Sequence, residues 1–220
     1  MTTSSIAERL GVLPTASISD ALDALGERGS LHGIGPLDTG SLTRTVGPAY
    51  TVRYEPITDE PGTVGDFLDD VPTGSVIVID NQGRTDCTVW GGIMTQSASA
   101  LGIAGTVING TCRDTAVTLE AQYPMWSAAR FMRTGKDRVR LVEVQGSIVI
   151  DGVTIEPGDI VVADSDGVLV VAAAIAEGVL ARAAEIEQTE SNIVAAVRGG
   201  GTLRQARQRF SYHTLQSVQA

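Results

Sequence analysis

The chain has 220 residues, 43% hydrophobic and 4% aromatic, with 25 glycines and a formal charge of −10 at pH 7. That length and apolar content suit one domain with a buried core and exclude a disordered chain. The acidic balance argues against non-specific nucleic-acid binding and against anionic membrane surfaces, both of which depend on Lys and Arg.

Cys87 and Cys112 are too few for a disulfide scaffold and form no CxxC redox or zinc pattern. They read as reduced thiols of a cytoplasmic protein. The opening stretch MTTSSIAERLGVLPT lacks the apolar core of a signal peptide, and no run of about 18 apolar residues is present to span a membrane.

In chain order, residues 5–11 read as a short helix that Pro14 interrupts. A second helix starts between Thr15 and Ser19, with Ser17 or Ser19 as its cap, Asp20 in the first turn and Gly26 as its stop. Ala21, Leu22 and Leu25 form its apolar face. Residues 28–41 are a glycine-rich loop, Gly47 to Glu55 alternates as a strand, and residues 56–66 are a polar Pro/Gly loop. Phe67 to Val71 reads as a short helix, Ser75 to Asp80 as a buried strand and Asn81-Gln82-Gly83 as a loop. Residues 92–102 form a helix of small residues, Gly105 to Asn109 another buried strand, Thr115 to Gln122 a short helix and Met125 to Phe131 a strand.

From Val139 the pattern turns to β: VRLVEV, then SIVIDGVTI with Asp151-Gly152 as a hairpin signal. IVVADSDGVLVV makes two strands about Asp164 to Gly167. A last helix runs roughly from Ala173 to Val197, and residues 198–220 are a C-terminal extension, either an extra helix or a tail packed on a neighbour. Helices interleaved with strands early and hairpins late predict an α/β fold, a mixed sheet flanked by helices in a single domain over residues 1–220.

The chemistry concentrates between Trp90 and Asp114. Gly91-Gly92 opens a helix, where backbone can approach a ligand and free N–H groups can meet an anion. Arg113-Asp114 follows an apolar strand and sets a planar guanidinium, suited to a carboxylate or carbonyl oxygen, beside a hard oxygen ligand. The competing readings are a tight packing turn at the glycines and a surface ion pair in which Asp114 merely caps a helix. Trp90 reads as a packing residue. Asp80, Asp86, Asp164, Ser165 and Asp166 read as turn residues. His32 and His213 have no Ser or Cys partner in a nucleophile motif, and no GxGxxG or P-loop is present.

Four stretches then coincide: Thr15 to Leu22 (T-x-S-I-S-D-A-L), GPAYTV, Gly92 followed after twenty residues by Arg113-Asp114, and VTIEPGDIVVADSDGVLVV. On these the chain resembles the RraA-like family, which includes class II 4-hydroxy-4-methyl-2-oxoglutarate aldolases and oxaloacetate decarboxylases. The resemblance implies a ββα swivelling-domain fold and a homo-oligomer, trimer or hexamer. It puts Mg²⁺ or Mn²⁺ on Asp114 and the carbonyl or carboxylate of a 2-keto acid on Arg113. Backbone N–H groups around Gly91, Gly92, Ile93 and Met94 would take the substrate carboxylate. An acid from a neighbour's C-terminal helix, Glu187 or Glu190, would complete the metal's water shell.

The chain departs from the family in one respect. Members with glycine at the first motif position usually carry Glu or Asp three residues after the motif's aspartate, where this chain has Val117; Glu120 is the substitute candidate. The implied reaction is retro-aldol cleavage or oxaloacetate decarboxylation through a metal-stabilised enolate. The alternative is RraA's own role, a non-enzymatic regulator that binds a ribonuclease.

Overall fold

The computed structural model describes residues 3–38, 43–58 and 62–212, with side chains from residue 6 onward. His213, the rest of the extension beyond it and parts of two expected loops (39–41 and 59–61) lie outside the described residues.

The strands are β1 (Gly35–Pro36), β2 (Thr45–Pro56), β3 (Val76–Trp90), β4 (Gly105–Cys112) and β5 (Met125–Arg130), followed by β6 (Val139–Val144), β7 (Ile148–Ile150), β8 (Val153–Ile155), β9 (Ile160–Ala163) and β10 (Val168–Val171). The helices are α1 (Thr3–Leu10), α2 (Thr15–Leu25), α3 (Gly92–Ala100), α4 (Thr115–Glu120), α5 (Ala176–Arg198) and α6 (Leu203–Arg209), with 3₁₀ turns at Leu68–Asp70 and Ala173–Ile175. The expected mixed sheet is present, in the order β1-β5-β4-β3-β2-β9-β10 with β6 also on β2, and β7-β8 form a separate ribbon. Strands β2 to β5 run parallel, whereas β1, β6, β9 and β10 pair antiparallel.

Strand alternation explains the layers. In β3, Ile77 and Ile79 enter one core with Trp90, Ile108 and Met125, while Val76 and Val78 enter a second core with Trp126 and the β7-β8 ribbon. A strand apolar on both faces is what a buried parallel position requires. In β9 and β10 the same alternation sends Val161 and Val170 into that second core and Ile160, Val162, Leu169 and Val171 under α1, α2 and α5. Among the described residues no helix is long and apolar enough to cross a membrane.

Three local expectations are corrected. Asn81-Gln82-Gly83 does not end the strand. Asp80 Oδ1 accepts the Gln82 N–H and the Asn109 amide, each at 2.8 Å. The turn-prone residues therefore become a bulge with positive φ at Gln82 and Gly83, and pairing with β4 resumes at Arg84. Helix α2 begins at Thr15, and neither Ser17 nor Ser19 caps it: Ser17 donates to Glu187 at 2.7 Å and Ser19 meets Ser30. Finally, Leu25 is 46% exposed and Ala24 is buried. Ala21 and Leu22 are buried as expected, together with Ser17, Ile18 and Ala24, and the Ser17–Glu187 bond ties this face to α5.

The cap of α2 comes from far along the chain. Asp164, in the β9–β10 connection, accepts the Thr15 N–H at 3.1 Å and the Thr15 hydroxyl at 2.7 Å. Burial pushes the Asp164 carboxyl pKa up, but hydrogen bonds from Thr15 and Asp166 and the nearby Arg44 outweigh it and hold the group below its ordinary value. A depressed folded pKa contributes stability above the unfolded value of about 3.9, and that stability is lost as pH falls through the folded pKa. Asp164→Ala is expected to cost about 1–2 kcal/mol near neutral pH, the usual loss for a helix cap. The gap from wild type should shrink in acid below about pH 4; urea titrations across pH measure both.

Candidate active site at the ends of the parallel strands

Parallel strands bring their C-terminal ends to one edge, and β3 and β4 finish in register, Trp90 opposite Cys112. Gly91-Gly92 and Arg113-Asp114 are therefore neighbours despite their separation in sequence. The Arg113 N–H donates to the Trp90 carbonyl at 3.0 Å, which fixes the start of the second pair against the first.

Asp114 then turns left-handed, with φ 55 and ψ 40. A non-glycine residue adopts that conformation at a cost of roughly 1–2 kcal/mol. Although Asp114 stands at the start of α4, its side chain makes no cap hydrogen bond. Oδ2 instead accepts the Gly92 N–H at 2.9 Å and lies 3.5 Å from Arg113 Nε. The capping explanation of the pair fails on this geometry. Both side chains line one cavity of about 430 Å³ with Gly91, Gly92, Ile93 and Met94.

Gly91 is glycine for reasons of space. Its φ of −148 is ordinary extended backbone, but a Cβ there would stand 2.9 Å from Asp114 Oδ2 and 3.1 Å from Arg113 Nε. Beyond it, the N–H groups of Ile93 and Met94 belong to the first turn of α3, where a helix has no acceptors of its own. Gly92's N–H is already occupied by Asp114, so Ile93 and Met94 are the groups left for an anion.

The wall behind the site is rigid. Trp90 is buried, as expected of a packing residue. Its Nε1 donates to Thr95 at 2.9 Å, Thr95 and Thr118 share a hydroxyl contact at 3.1 Å, and the indole stacks on Tyr123. These contacts tie α3 to α4 beneath the cavity. Both cysteines are free, buried in the sheet core and held above their ordinary thiol pKa, chiefly by burial.

The other acids that the sequence singled out fall elsewhere. Glu120 is exposed at the end of α4 and does not line the cavity. Glu187 is bonded to Ser17, and Glu190 is held above its ordinary pKa by burial and then by Glu187 and Asp20. Neither lines the cavity of its own chain. Val117 packs beside Gly92, with Cγ1 3.5 Å from where a Gly92 Cβ would be, and does not itself line the cavity. Asp86 pairs with Arg84 at 2.8 Å. His32 is exposed, and its backbone N–H donates to Asp151. Among the described residues no group of three or more His, Cys, Asp or Glu could hold a metal.

Reading the sequence missed Gly62, Thr63, Val64, Asp66, Thr88, Thr134 and Lys136, which complete the lining. They come from irregular segments and a strand bulge, where no periodicity marks a shared face. The available signal was the Pro/Gly loop that contains Asp66, since loops carry binding and catalytic residues more often than the elements they connect.

The family model RraA-like (Aldolase/RraA) matches residues 15–170, and the chain belongs to this family. Protein DlpA of Legionella pneumophila is 43% identical over 202 residues; the match takes in 90% of this chain and 32% of that protein, so the chain spans about a third of its length. A Halalkalibacterium halodurans protein named "Putative 4-hydroxy-4-methyl-2-oxoglutarate aldolase" is 35% identical over 173 residues, 78% of each chain. Among solved structures, an uncharacterized protein from Pseudomonas syringae is 48% identical with TM-score 0.86, covering 93% of this chain and 97% of that one. Streptomyces coelicolor RraAS2, described as an unusual member of the RNase ES inhibitor RraA protein family, is 27% identical with TM-score 0.78, covering 85% and 94%.

Proposed function

We propose that the chain is a lyase of 2-keto acids that depends on Mg²⁺ or Mn²⁺. It would cleave substrates of the 4-hydroxy-4-methyl-2-oxoglutarate type by retro-aldol chemistry, decarboxylate oxaloacetate to pyruvate, or do both. The observation that carries this reading is the convergence of Arg113, Asp114 and the first turn of α3 on one cavity.

The site fits a hydrated divalent ion. Asp114 lines the cavity, and its Oδ1 has no hydrogen-bond partner among the described residues. One hard carboxylate surrounded by waters suits Mg²⁺ or Mn²⁺ and not a tetrahedral thiolate–imidazole ion. Asp114 would hold the ion, which supplies positive charge beside the keto oxygen. Arg113 donates to the keto or carboxylate oxygen, and at the keto oxygen it meets the negative charge that grows as the carbon–carbon bond breaks. The Ile93 and Met94 N–H groups orient the carboxylate, and buried Trp90 closes the cavity floor to water.

The test is pyruvate formation by the purified, EDTA-stripped chain, from oxaloacetate and from 4-hydroxy-4-methyl-2-oxoglutarate, with Mg²⁺ or Mn²⁺ added back. No metal-dependent product from either substrate would remove the proposal. The likeness to RraAS2 supports the competing role of a ribonuclease regulator. Arg113→Ala separates the two, since it sharply slows the chemistry but leaves binding through a protein surface nearly unchanged. The proposal extends to a trimer or hexamer in the cytoplasm, with Glu187 or Glu190 reaching a neighbour's site; sedimentation measures the copy number. Gly91→Ala, which drives a methyl group between Asp114 and Arg113, is expected to lower turnover on the order of 100-fold, the cost of a misplaced reacting group. Steady-state assays beside a thermal melt would check it.

A further inference from the structure

A retro-aldol step needs a group to accept the C4 hydroxyl proton, and the cavity lining restricts the choice. Arg113 and Lys136 carry donors without acceptor capacity when protonated. Asp114 is engaged with Gly92 and Arg113 and is the proposed seat of the ion. Thr88 spends its hydroxyl on the carbonyls of Trp90 and Thr111. Among the described lining residues, Asp66 is the one remaining carboxylate.

Its exposed side chain sits on fixed backbone. On one side, the Gly65 N–H donates to the Tyr54 hydroxyl at 3.2 Å. Gly65 has φ +98, and a Cβ there would stand 3.0 Å from Met94 Sδ, so the segment lies directly against the first turn of α3. On the other side, Phe67 is buried and stacked on Tyr50 with centroids 6.3 Å apart. Anchors on both sides hold Asp66 at the cavity wall and limit how far its carboxylate can wander.

We propose that Asp66 is the general base of aldol cleavage, an assignment that rests on the keto-acid lyase reading. Its carboxylate takes the C4 hydroxyl proton. The O–H electron pair becomes the new C4 carbonyl bond, the C3–C4 bond breaks, and its electron pair passes into an enolate whose oxygen faces Arg113. The proton on Asp66 then moves to C3, which completes pyruvate and restores the carboxylate. Decarboxylation of oxaloacetate loses CO₂ and has no hydroxyl proton to remove, so it makes no such demand.

The experiment is the ratio of two rates with Mg²⁺: pyruvate from 4-hydroxy-4-methyl-2-oxoglutarate over pyruvate from oxaloacetate, each corrected for the metal alone. In Asp66→Asn the ratio should fall on the order of 100-fold, the scale of a lost general base. Asp66→Glu, which keeps the carboxylate, should recover part of it. A ratio unchanged in Asp66→Asn, with both rates intact or both reduced together, overturns the assignment and leaves the lyase reading standing. A wild type that decarboxylates without cleaving the aldol also overturns it alone. A wild type with neither activity overturns the lyase reading and this assignment with it.

Discussion

Arg113→Ala is expected to lower keto-acid turnover by about 10²–10³-fold, the usual effect of removing one donor from a site of developing negative charge. The guanidinium is half-exposed and lies 3.5 Å from Asp114, a separation at which an exposed pair adds little to stability. The anchor of this turn is the backbone bond from Arg113 N–H to the Trp90 carbonyl, which alanine keeps. The melting temperature should therefore hardly move while the rate collapses. Arg113→Lys should recover only part of the loss, because an ammonium cannot reproduce the planar fork. Equal activity in Arg113→Ala and wild type would remove this residue from the chemistry.

Asp114→Gly should separate function from stability still more sharply. Glycine relieves the left-handed strain at φ 55, worth roughly 1–2 kcal/mol. Against that, it loses the exposed hydrogen bond to the Gly92 N–H, worth about 0.5–1.5 kcal/mol, and enlarges the entropy of the unfolded chain by a similar amount. These terms nearly cancel, so the melting temperature should stay within about 3 °C of wild type. Metal affinity should be lost with the carboxylate, read directly by Mn²⁺ titration in EPR, and turnover should fall by at least about 10³-fold. Retained Mn²⁺ affinity would show that the ion sits elsewhere.

The strained aspartate also shows how far a one-dimensional reading reaches. The pair Arg113-Asp114 and the glycines before α3 were identifiable by residue type. Nothing in the residues distinguished a capping aspartate from one turned into a cavity, because the distinction lies in one backbone torsion. Helix α2 gives a second case: its start carried serines with capping chemistry, yet the cap is Asp164, 149 residues away. The hairpin at Asp151-Gly152 was legible for the opposite reason, since both residues adopt the positive φ that their own chemistry favours.

Local chemistry is written in the chain: alternation named β2, short apolar runs named the buried strands, small residues named α3, and an adjacent cation and anion marked the place where reaction is proposed. Membership in the RraA-like family rests on such stretches too, and residues 15–170 carry it. What the folded molecule alone decided is which distant groups share a space. Parallel pairing set Trp90 beside Cys112 and so brought two motifs to one edge, and loop packing against Met94 and Tyr54 added Asp66. Side-chain periodicity reports the face a residue turns toward its neighbours within an element; it contains nothing about which loops meet across the end of a sheet, because that depends on strand order and chain reversal.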